Sequence, residues 1–341
     1  MNAIGIDTHK ASLVACAIDA LGAPLAERTF RNDPAGHAEV LAWARRVAPA
    51  AVVGVEGSST FGAALARFLV GAGVGVREVP PHLTRRGRTG SRRPGKSDPG
   101  DALVIARVTA RESDLPPVRL ADRSRDIGLL LNAREALVTE ATRTRNRLHA
   151  HLLVIVAGYG ERVDRLVSSS ALERAARLLR GQSGIEAELA RELIAQLRRL
   201  ARRIERLTVR LTALVGADPL LRMPGVGILT AARLRAETGD VSRFRSPDAF
   251  AALAGVAPIP ASSGQIQRVR LSRGGNRQLN RALHVIALAQ ARHHPPARAY
   301  IERKRTEGKT WREAMRCLKR QLVRTVFRLL QEGQLGAPAA A

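Results

Sequence analysis

The 341-residue sequence predicts a mixed α/β unit followed by a chain that is helical to its end. Three observations carry this expectation. Strand-length apolar runs bounded by turn residues are confined to the stretch ending at Val79, and from about residue 120 apolar positions recur at helical spacing instead. Between them, Arg85 to Lys96 is strongly basic, with no acidic residue after Glu78 until Asp98.

The strands come first. Ala3 to Asp7 and Ser12 to Ile18 are apolar runs separated by the turn Thr8-His9-Lys10, and Pro24 to Phe30 adds a third. Asp33-Pro34 supplies an N-cap and a first-turn proline for a helix to about Arg46. Ala51 to Val55 is a β-branched run closing on Glu56, a helix from about Thr60 to Val70 follows, and Val74 to Val79 is one more strand. Asp98-Pro99 then starts a helix running to about Arg111. Strands followed by alternating helices and strands give a mixed sheet with helices on its faces.

Farther on, Leu193, Leu197, Leu200, Ile204, Leu207, Leu211 and Leu214 alternate steps of four and three, a coiled-coil seam. Its natural partner is the helix carrying Leu130, Leu137, Leu148, Leu152 and Ile155, packed antiparallel after a connection near Gly158-Tyr159-Gly160. The same pattern also suits the core of a helical bundle, and pairing within one chain and between chains are both open. After Asp218-Pro219 a third unit begins with Pro224-Gly225-Val226-Gly227 and a helix from about Leu229 to Glu237, and it ends in a basic helix from roughly Trp311 to Gln331. The expected units are thus 1–115, 116–216 and 217–335, with a tail at 336–341.

Charge narrows the function. Lys plus Arg number 56 against 30 Asp plus Glu, and a net +26 self-repels unless a polyanion is bound for part of the working cycle. Nucleic acid is the first candidate. No apolar run reaches membrane-spanning length and no basic, apolar, small-residue leader opens the sequence, so the expected location is cytoplasmic, at the nucleoid, without a membrane partner. Cys16 and Cys317 stand far apart with no zinc-ligand spacing around either. Aromatics are 3%, too few for a protein that stacks base after base of a single strand, so arginine contacts to the backbone should dominate.

Four carboxylates stand out. Asp7 ends the first strand and Glu56 closes a later one, so adjacent parallel strands would bring both to one sheet edge. Asp98 and Asp101 share a helix face one turn apart. Four acidic groups gathered there would repel one another unless divalent cations sat between them, and hard oxygen donors suit Mg²⁺ or Mn²⁺. Two ions would serve an in-line phosphodiester displacement. Each acid also has an ordinary explanation, Asp98 and Asp101 as helix-start residues above all. Their order beside the basic residues Arg85, Arg86, Arg88, Arg92, Arg93 and Lys96 favours a site that grips a backbone next to the ions that cut it.

A second segment, Ala257 to Asn280, holds Ser262-Ser263-Gly264 with Arg268, Arg270, Arg273, Asn276 and Arg277, and Arg281 just beyond, and no acid lies between Asp248 and Glu302. The serines are candidate nucleophiles in a cationic field, or else a turn between two short strands with a DNA-facing basic surface behind it; chemistry alone favours the turn. Gly225 and Gly227 before a helix resemble a phosphate clamp, in which glycines let a duplex backbone approach helix N-terminal amides, and a plain helix-turn-helix packing element is the competing account.

Taken in order, Gly5-Ile6-Asp7-Thr8-His9-Lys10, Val55-Glu56-Gly57-Ser58, Lys96-Ser97-Asp98-Pro99-Gly100-Asp101-Ala102, Pro224-Gly225-Val226-Gly227, and Ala257-Pro258 with Ser262-Ser263-Gly264 and Arg273-Gly274-Gly275-Asn276 resemble the DEDD-type transposases of insertion-sequence family 110, relatives of the Piv and MooV DNA invertases. The resemblance spans nearly the whole chain. It implies an N-terminal RuvC-like (RNase H) fold, a coiled-coil middle and a mainly α C-terminal transposase domain. It also implies that Asp7, Glu56, Asp98 and Asp101 bind divalent metal, and that a serine attacks DNA to form a phosphoserine link, Ser263 first and Ser262 second. Implied partners are DNA (element ends and target), a structured guide RNA, and further copies of the chain as a dimer or tetramer. Two other functions fit the residues: a RuvC-like nuclease that hydrolyses branched DNA without a covalent intermediate, and a non-catalytic nucleic-acid-binding scaffold.

Overall fold

The computed structural model describes residues 2–58, 60–81, 83–84, 98–113, 115–118, 123–163, 165–260, 269–270 and 275–335, with backbone alone at 98–99, 260, 269–270 and 334–335. It divides into two compact units, Met1–Ala121 and Asp122–Ala341.

The first unit runs β1 (Ala3–Thr8), β2 (Ser12–Ile18), β3 (Pro24–Arg31), α1 (Pro34–Val47), β4 (Val52–Val55), α2 (Ala63–Gly71), β5 (Val76–Glu78) and α3 (Asp98–Arg111). The sheet order is β3-β2-β1-β4-β5. β1 pairs antiparallel with β2, and β2 with β3, whereas β4 lies parallel to both β1 and β5. This is the expected mixed sheet, in the strand order of an RNase H-like fold.

Alternation divides its side chains between two covered faces. Ile4, Ile6, Leu13, Ala15 and Ala17 pack with Val40 and Trp43 of α1 and Leu65 and Leu69 of α2. Ala3, Val14, Cys16 and Ile18 pack under Ala102 and Ala106 of α3. A strand buried on both faces needs apolar residues at nearly every position, which is why β2 reads Leu-Val-Ala-Cys-Ala-Ile without a polar break. At α1, Asp33 accepts a hydrogen bond from the Gly36 amide at 2.8 Å and Pro34 opens the first turn, as expected. Helix α2 starts later than expected, at Ala63. The chain first turns tightly at Gly57, whose φ is +74° and whose carbonyl accepts from the amides of Thr60 and Gly62.

The second unit comprises α4 (Arg123–Ile155), α5 (Tyr159–Arg162), α6 (Ser169–Leu178), α7 (Ile185–Val215), α8 (Ile228–Thr238), α9 (Pro247–Leu253), a two-residue pair β6 (Ile259–Pro260) and β7 (Val269–Arg270), then α10 (Arg277–His293), α11 (Pro295–Thr306) and α12 (Trp311–Leu335). The long helices α4 and α7 pack antiparallel within one chain. Ile127 and Leu131 meet Leu211 and Val215 at one end, and Leu148 and Leu152 meet Leu193 and Ile194 at the other. Of the seam residues, Leu193, Leu197, Leu200 and Leu211 are buried. The connection is longer than a turn at Gly158, because α5 and α6 fold back and put Tyr159, Leu166, Leu172 and Ala175 into the same core. The remaining helices close around Phe250, Leu283, Ile286, Val323, Val326 and Phe327. Among the described residues no helix is long and apolar enough to cross a membrane.

Candidate active site

Parallel pairing sets the geometry of the acids in the first unit. β1 and β4 run side by side until Ile6 faces Val55, and the next residues, Asp7 and Glu56, leave neighbouring strand ends at one edge. The Glu56 amide donates to the Ile6 carbonyl at 3.2 Å, and Thr8 Oγ1 donates to the Glu56 carbonyl at 2.8 Å. On the side chain, Thr84 Oγ1 donates to Glu56 Oε1 at 3.2 Å; Thr84 is buried and also donates to the Pro81 carbonyl at 3.0 Å. Asp7 Oδ2 lies 3.4 Å from His9 Nε2 with its side chain 13% exposed.

Asn32 ties the surrounding loops together. Its Nδ2 donates to the carbonyls of His9, at 2.8 Å, and Phe61, at 2.9 Å, while its Oδ1 is 2.9 Å from His37 Nε2. Burial holds the His37 imidazole below its ordinary pKa, with Asp33 opposing. Its neutral form is therefore favoured in the fold.

Helix α3 reaches this edge because two glycines clear its path. Gly5 and Gly54 are register partners on β1 and β4. A Cβ on Gly5 would stand 2.1 Å from the Ala106 amide nitrogen and 2.3 Å from the Ala102 carbonyl oxygen, and one on Gly54 would stand 1.8 Å from Thr109 Oγ1. Helix backbone thus lies directly on strand backbone. Arg107 Nε donates to the Gly22 carbonyl at 3.1 Å, beyond the other end of β1, so α3 runs its first turn toward the edge that bears Asp7. Asp101 is buried on that turn, 7% exposed. Asp98 shares the turn, and its side chain lies outside the described residues. Among the described residues no three His, Cys, Asp or Glu side chains close into a metal cage. Asp7, Glu56 and Asp101 nevertheless offer only carboxylate oxygens, a donor set that fits a hard divalent ion.

In the second unit, Ser262, Ser263, Arg268 and Arg273 lie outside the described residues, as do Arg85, Arg86, Arg88, Arg92, Arg93 and Lys96 in the first. What is described is the foot of the serine segment. Ile259 pairs with Arg270 and Pro260 with Val269. Beneath them Gly255, at φ +64°, presses on Gly275, where a Cβ would come 2.3 Å from the Gly255 Cα. Asn280 Nδ2 donates to the carbonyls of Ala254 and Gly255, both at 3.0 Å, and its Oδ1 accepts from Lys319 Nζ at 2.8 Å. Burial, followed by the nearby Arg316, lowers the pKa of Lys319.

Asn276, expected at a nucleic-acid contact, is committed inside the protein. Its Oδ1 caps α10 by accepting from the amides of Gln278 and Leu279, and its Nδ2 donates to Glu237 Oε2 at 2.8 Å. Glu237 in turn pairs with buried Arg233 at 3.0 Å, and Arg233 with Glu135 of α4 at 2.6 Å. An Arg-Gly-Gly-Asn run in a basic field looks the same in sequence whether its asparagine meets phosphate or caps a helix. Gly225 also has an internal reason to be glycine: its φ is +83° and a Cβ there would touch Ala289 and the Ile286 carbonyl of α10. Gly227 faces open space and precedes α8 with no side-chain cap. Arg277 and Arg281 are exposed one turn apart on α10. The supporting roles of Thr8, Thr84, Asn32, Asn280, Lys319 and Arg233 escaped the sequence reasoning; of these Thr8, in the turn after β1, and Asn32, beside the cap Asp33, sat in legible local signals.

Two family models match the chain, the first running past the boundary at Ala121 into the second unit. A family model for DEDD IS110 transposases, described as "Transposase", matches residues 4–157, and one described as "Transposase IS116/IS110/IS902 family" matches residues 217–302. The chain is 27% identical to the 42 kDa protein of insertion element IS900 from Mycobacterium paratuberculosis, over 98% of this chain and 97% of that protein. It is 40% identical to the 43.6 kDa protein of insertion element IS110 from Streptomyces coelicolor, over 37% of this chain and 33% of that one. Among solved structures, RuvC of T. thermophilus in complex with a Holliday junction substrate aligns with a TM-score of 0.28 and 22% identity, covering 35% of this chain and 99% of that one.

Proposed function

The chain belongs to the IS116/IS110/IS902 family of transposases, and from that premise we propose that it moves its element by metal-dependent, serine-mediated DNA strand exchange. The observation that supports this best is the departure of Asp7 and Glu56 from adjacent parallel strand ends, with the first turn of α3 seated toward them over Gly5 and Gly54. Asp7, Glu56, Asp98 and Asp101 would hold the metal, Mg²⁺ or Mn²⁺, as two ions. When bound, such ions supply Lewis acidity and neutralise the phosphate.

The chain's own residues do the rest. Thr84 orients the Glu56 carboxylate, and His9 and Asn32 hold the Asp7 end of β1 in place. Ser263, with Ser262 as second choice, is the nucleophile. Its Oγ bonds to phosphorus as its proton leaves, the bond from phosphorus to the departing sugar oxygen breaks, and that oxygen takes up a proton. A free sugar hydroxyl from the joining strand reverses the step and releases the serine. Arg85, Arg86, Arg88, Arg92, Arg93 and Lys96 grip the backbone beside the acids; Arg268, Arg270, Arg273, Arg277 and Arg281 do so around the serine. The uncapped amides that follow Gly227 donate to a backbone phosphate at the N-terminus of α8. The family resemblance supports a structured guide RNA that selects the DNA, and assembly as a dimer or tetramer.

Trapping tests this directly. Enzyme, Mg²⁺, guide RNA and cognate DNA should yield a covalent protein–DNA adduct that Ser263→Ala abolishes. An adduct that survives Ser263→Ala and disappears in Ser262→Ala moves the nucleophile by one residue. Cutting retained in both variants would establish a hydrolytic nuclease, and no Mg²⁺-dependent cutting at all would leave a scaffold.

A further inference from the structure

The outer face of α7 has a use that neither the acids nor the serine segment requires. Residues 198–210 carry six arginines, Arg198, Arg199, Arg202, Arg203, Arg206 and Arg210, against one acid, Glu205. All six are exposed. Among the described residues no carboxylate lies within ion-pair distance of any of them, although ion pairs elsewhere on this unit engage Arg222, Arg233, Arg235 and Arg305. Arg199, Arg203, Arg206 and Arg210 follow steps of four, three and four, so they share one side of the helix. From Arg199 to Arg210 that side extends about 16.5 Å.

The stripe is held rigid and is not flat. About a third of a turn round α7 from the stripe, Leu193, Leu197, Leu200 and Leu211 are buried against α4, which fixes the helix beside its arginines. One hollow is lined by Arg147 and His151 of α4 with Glu192, Gln196 and Arg199 of α7, and a second by Arg199, Arg202, Arg203, Glu205 and Arg206 of α7 alone; the two share Arg199, and in each the arginines outnumber the single acid. Exposed guanidinium groups outside ion-pair distance of any described carboxylate, carried in a row on one helix, suit the negative charge of a phosphodiester backbone, and arginine is the side chain best shaped to clamp phosphate. The track carries no aromatic side chain on which a single strand would stack. The density of like charge also opposes a second copy of the same face.

We propose that the α7 arginine stripe is a phosphate-backbone binding track for duplex DNA, separate from the residues that perform strand exchange. It contributes affinity without sequence preference and sets much of the protein's salt sensitivity. The inference rests on family membership in requiring DNA as the partner, and it is independent of which residue is the nucleophile.

The test is binding of the full chain to a DNA duplex of three helical turns across a salt series, with no divalent cation present, so that acid and serine chemistry do not enter. R199Q/R203Q/R206Q/R210Q should lower affinity by at least about 10-fold at low salt and reduce the slope of log K against log salt by about 3.6, roughly 0.9 for each of four lost phosphate contacts. The matching lysine variant, R199K/R203K/R206K/R210K, keeps the charge and should keep most of the slope. Glutamine is a good helix former, and far-UV circular dichroism of both variants checks the helix. A control that removes four exposed arginines elsewhere, R46Q/R67Q/R298Q/R312Q, should change the slope far less. An unchanged slope in the α7 glutamine variant, or an equal fall in the control, overturns the proposal. So does a loss seen with an RNA duplex and not with DNA.

Discussion

The two units hold their candidate chemistry in different ways. At the sheet edge of the first, Asp7 and Glu56 are placed by backbone pairing, and α3 by the absence of side chains at Gly5 and Gly54. In the second, the foot of the serine segment is placed by side chains. Asn276 caps α10, Glu237 and Arg233 tie that cap to α4, and Asn280 clasps two carbonyls while Lys319 holds its oxygen. A site fixed by backbone tolerates change in its periphery and none at the glycines. A site fixed by a polar network depends on each buried partner in turn.

The largest effect should come from the chemistry itself. Asp7→Asn is nearly isosteric and should leave the thermal midpoint within a few degrees of wild type while lowering Mg²⁺-dependent strand cleavage by on the order of 10²–10³-fold, the scale of losing one electrostatic stabiliser of a transition state. Retained cleavage in single-turnover assays would remove Asp7 from the acid set. Next is Arg233→Ala. Removing one partner of a buried pair costs about 3–5 kcal/mol, and the lower end is expected because Glu135 and Glu237 can still reach water; the loss should appear as a shift of the urea midpoint at constant slope. An effect confined to the first unit would contradict the network.

Gly5→Ala sharpens the contrast, since it adds a single methyl where backbone lies 2.1 Å away. About 1–3 kcal/mol should be lost as α3 shifts, with cleavage falling further than stability alone explains. Asn276→Ala should cost about 1 kcal/mol as a lost cap. If it instead weakened DNA binding with no change in stability, the asparagine would be a phosphate contact after all.

The smallest effect concerns His37. Its folded pKa lies below the ordinary value of 6.5, so its stabilising contribution is complete above that pH and is lost as pH falls through the lowered value. His37→Gln should flatten the acid limb of a stability-against-pH curve below pH 6.5, and an unaltered limb would show that Asn32 holds the loops unaided.

The same contrast explains what the sequence disclosed. The strands, the α1 cap and the start of α3 are local patterns, and the structure matches them closely. The pairing of Asp7 with Glu56 was legible because two apolar runs end in acids, and parallel neighbours end together. Gly5 and Gly54 were not, since the reason for each is a helix far along the chain. Arg233 sits in a run of arginines on a helix, and nothing nearby marks it as the buried one. The α4–α7 pairing was legible from its leucines, whereas the fold-back through α5 and α6 was not, because short helices carry too few periodic positions to register.

The glycine-cleared seat for α3 also fixes an order of events during synthesis. Asp7 and Glu56 emerge from the ribosome long before Asp101, and at about 5–20 residues per second the chain spends seconds with its sheet started and the seat over Gly5 empty. Asp101 therefore joins the first unit only when a distant helix arrives, and a truncated or stalled product ending before Asp98 carries a sheet with one face bare. Nascent fragments of the protein should accordingly be poor at handling DNA and prone to stick together.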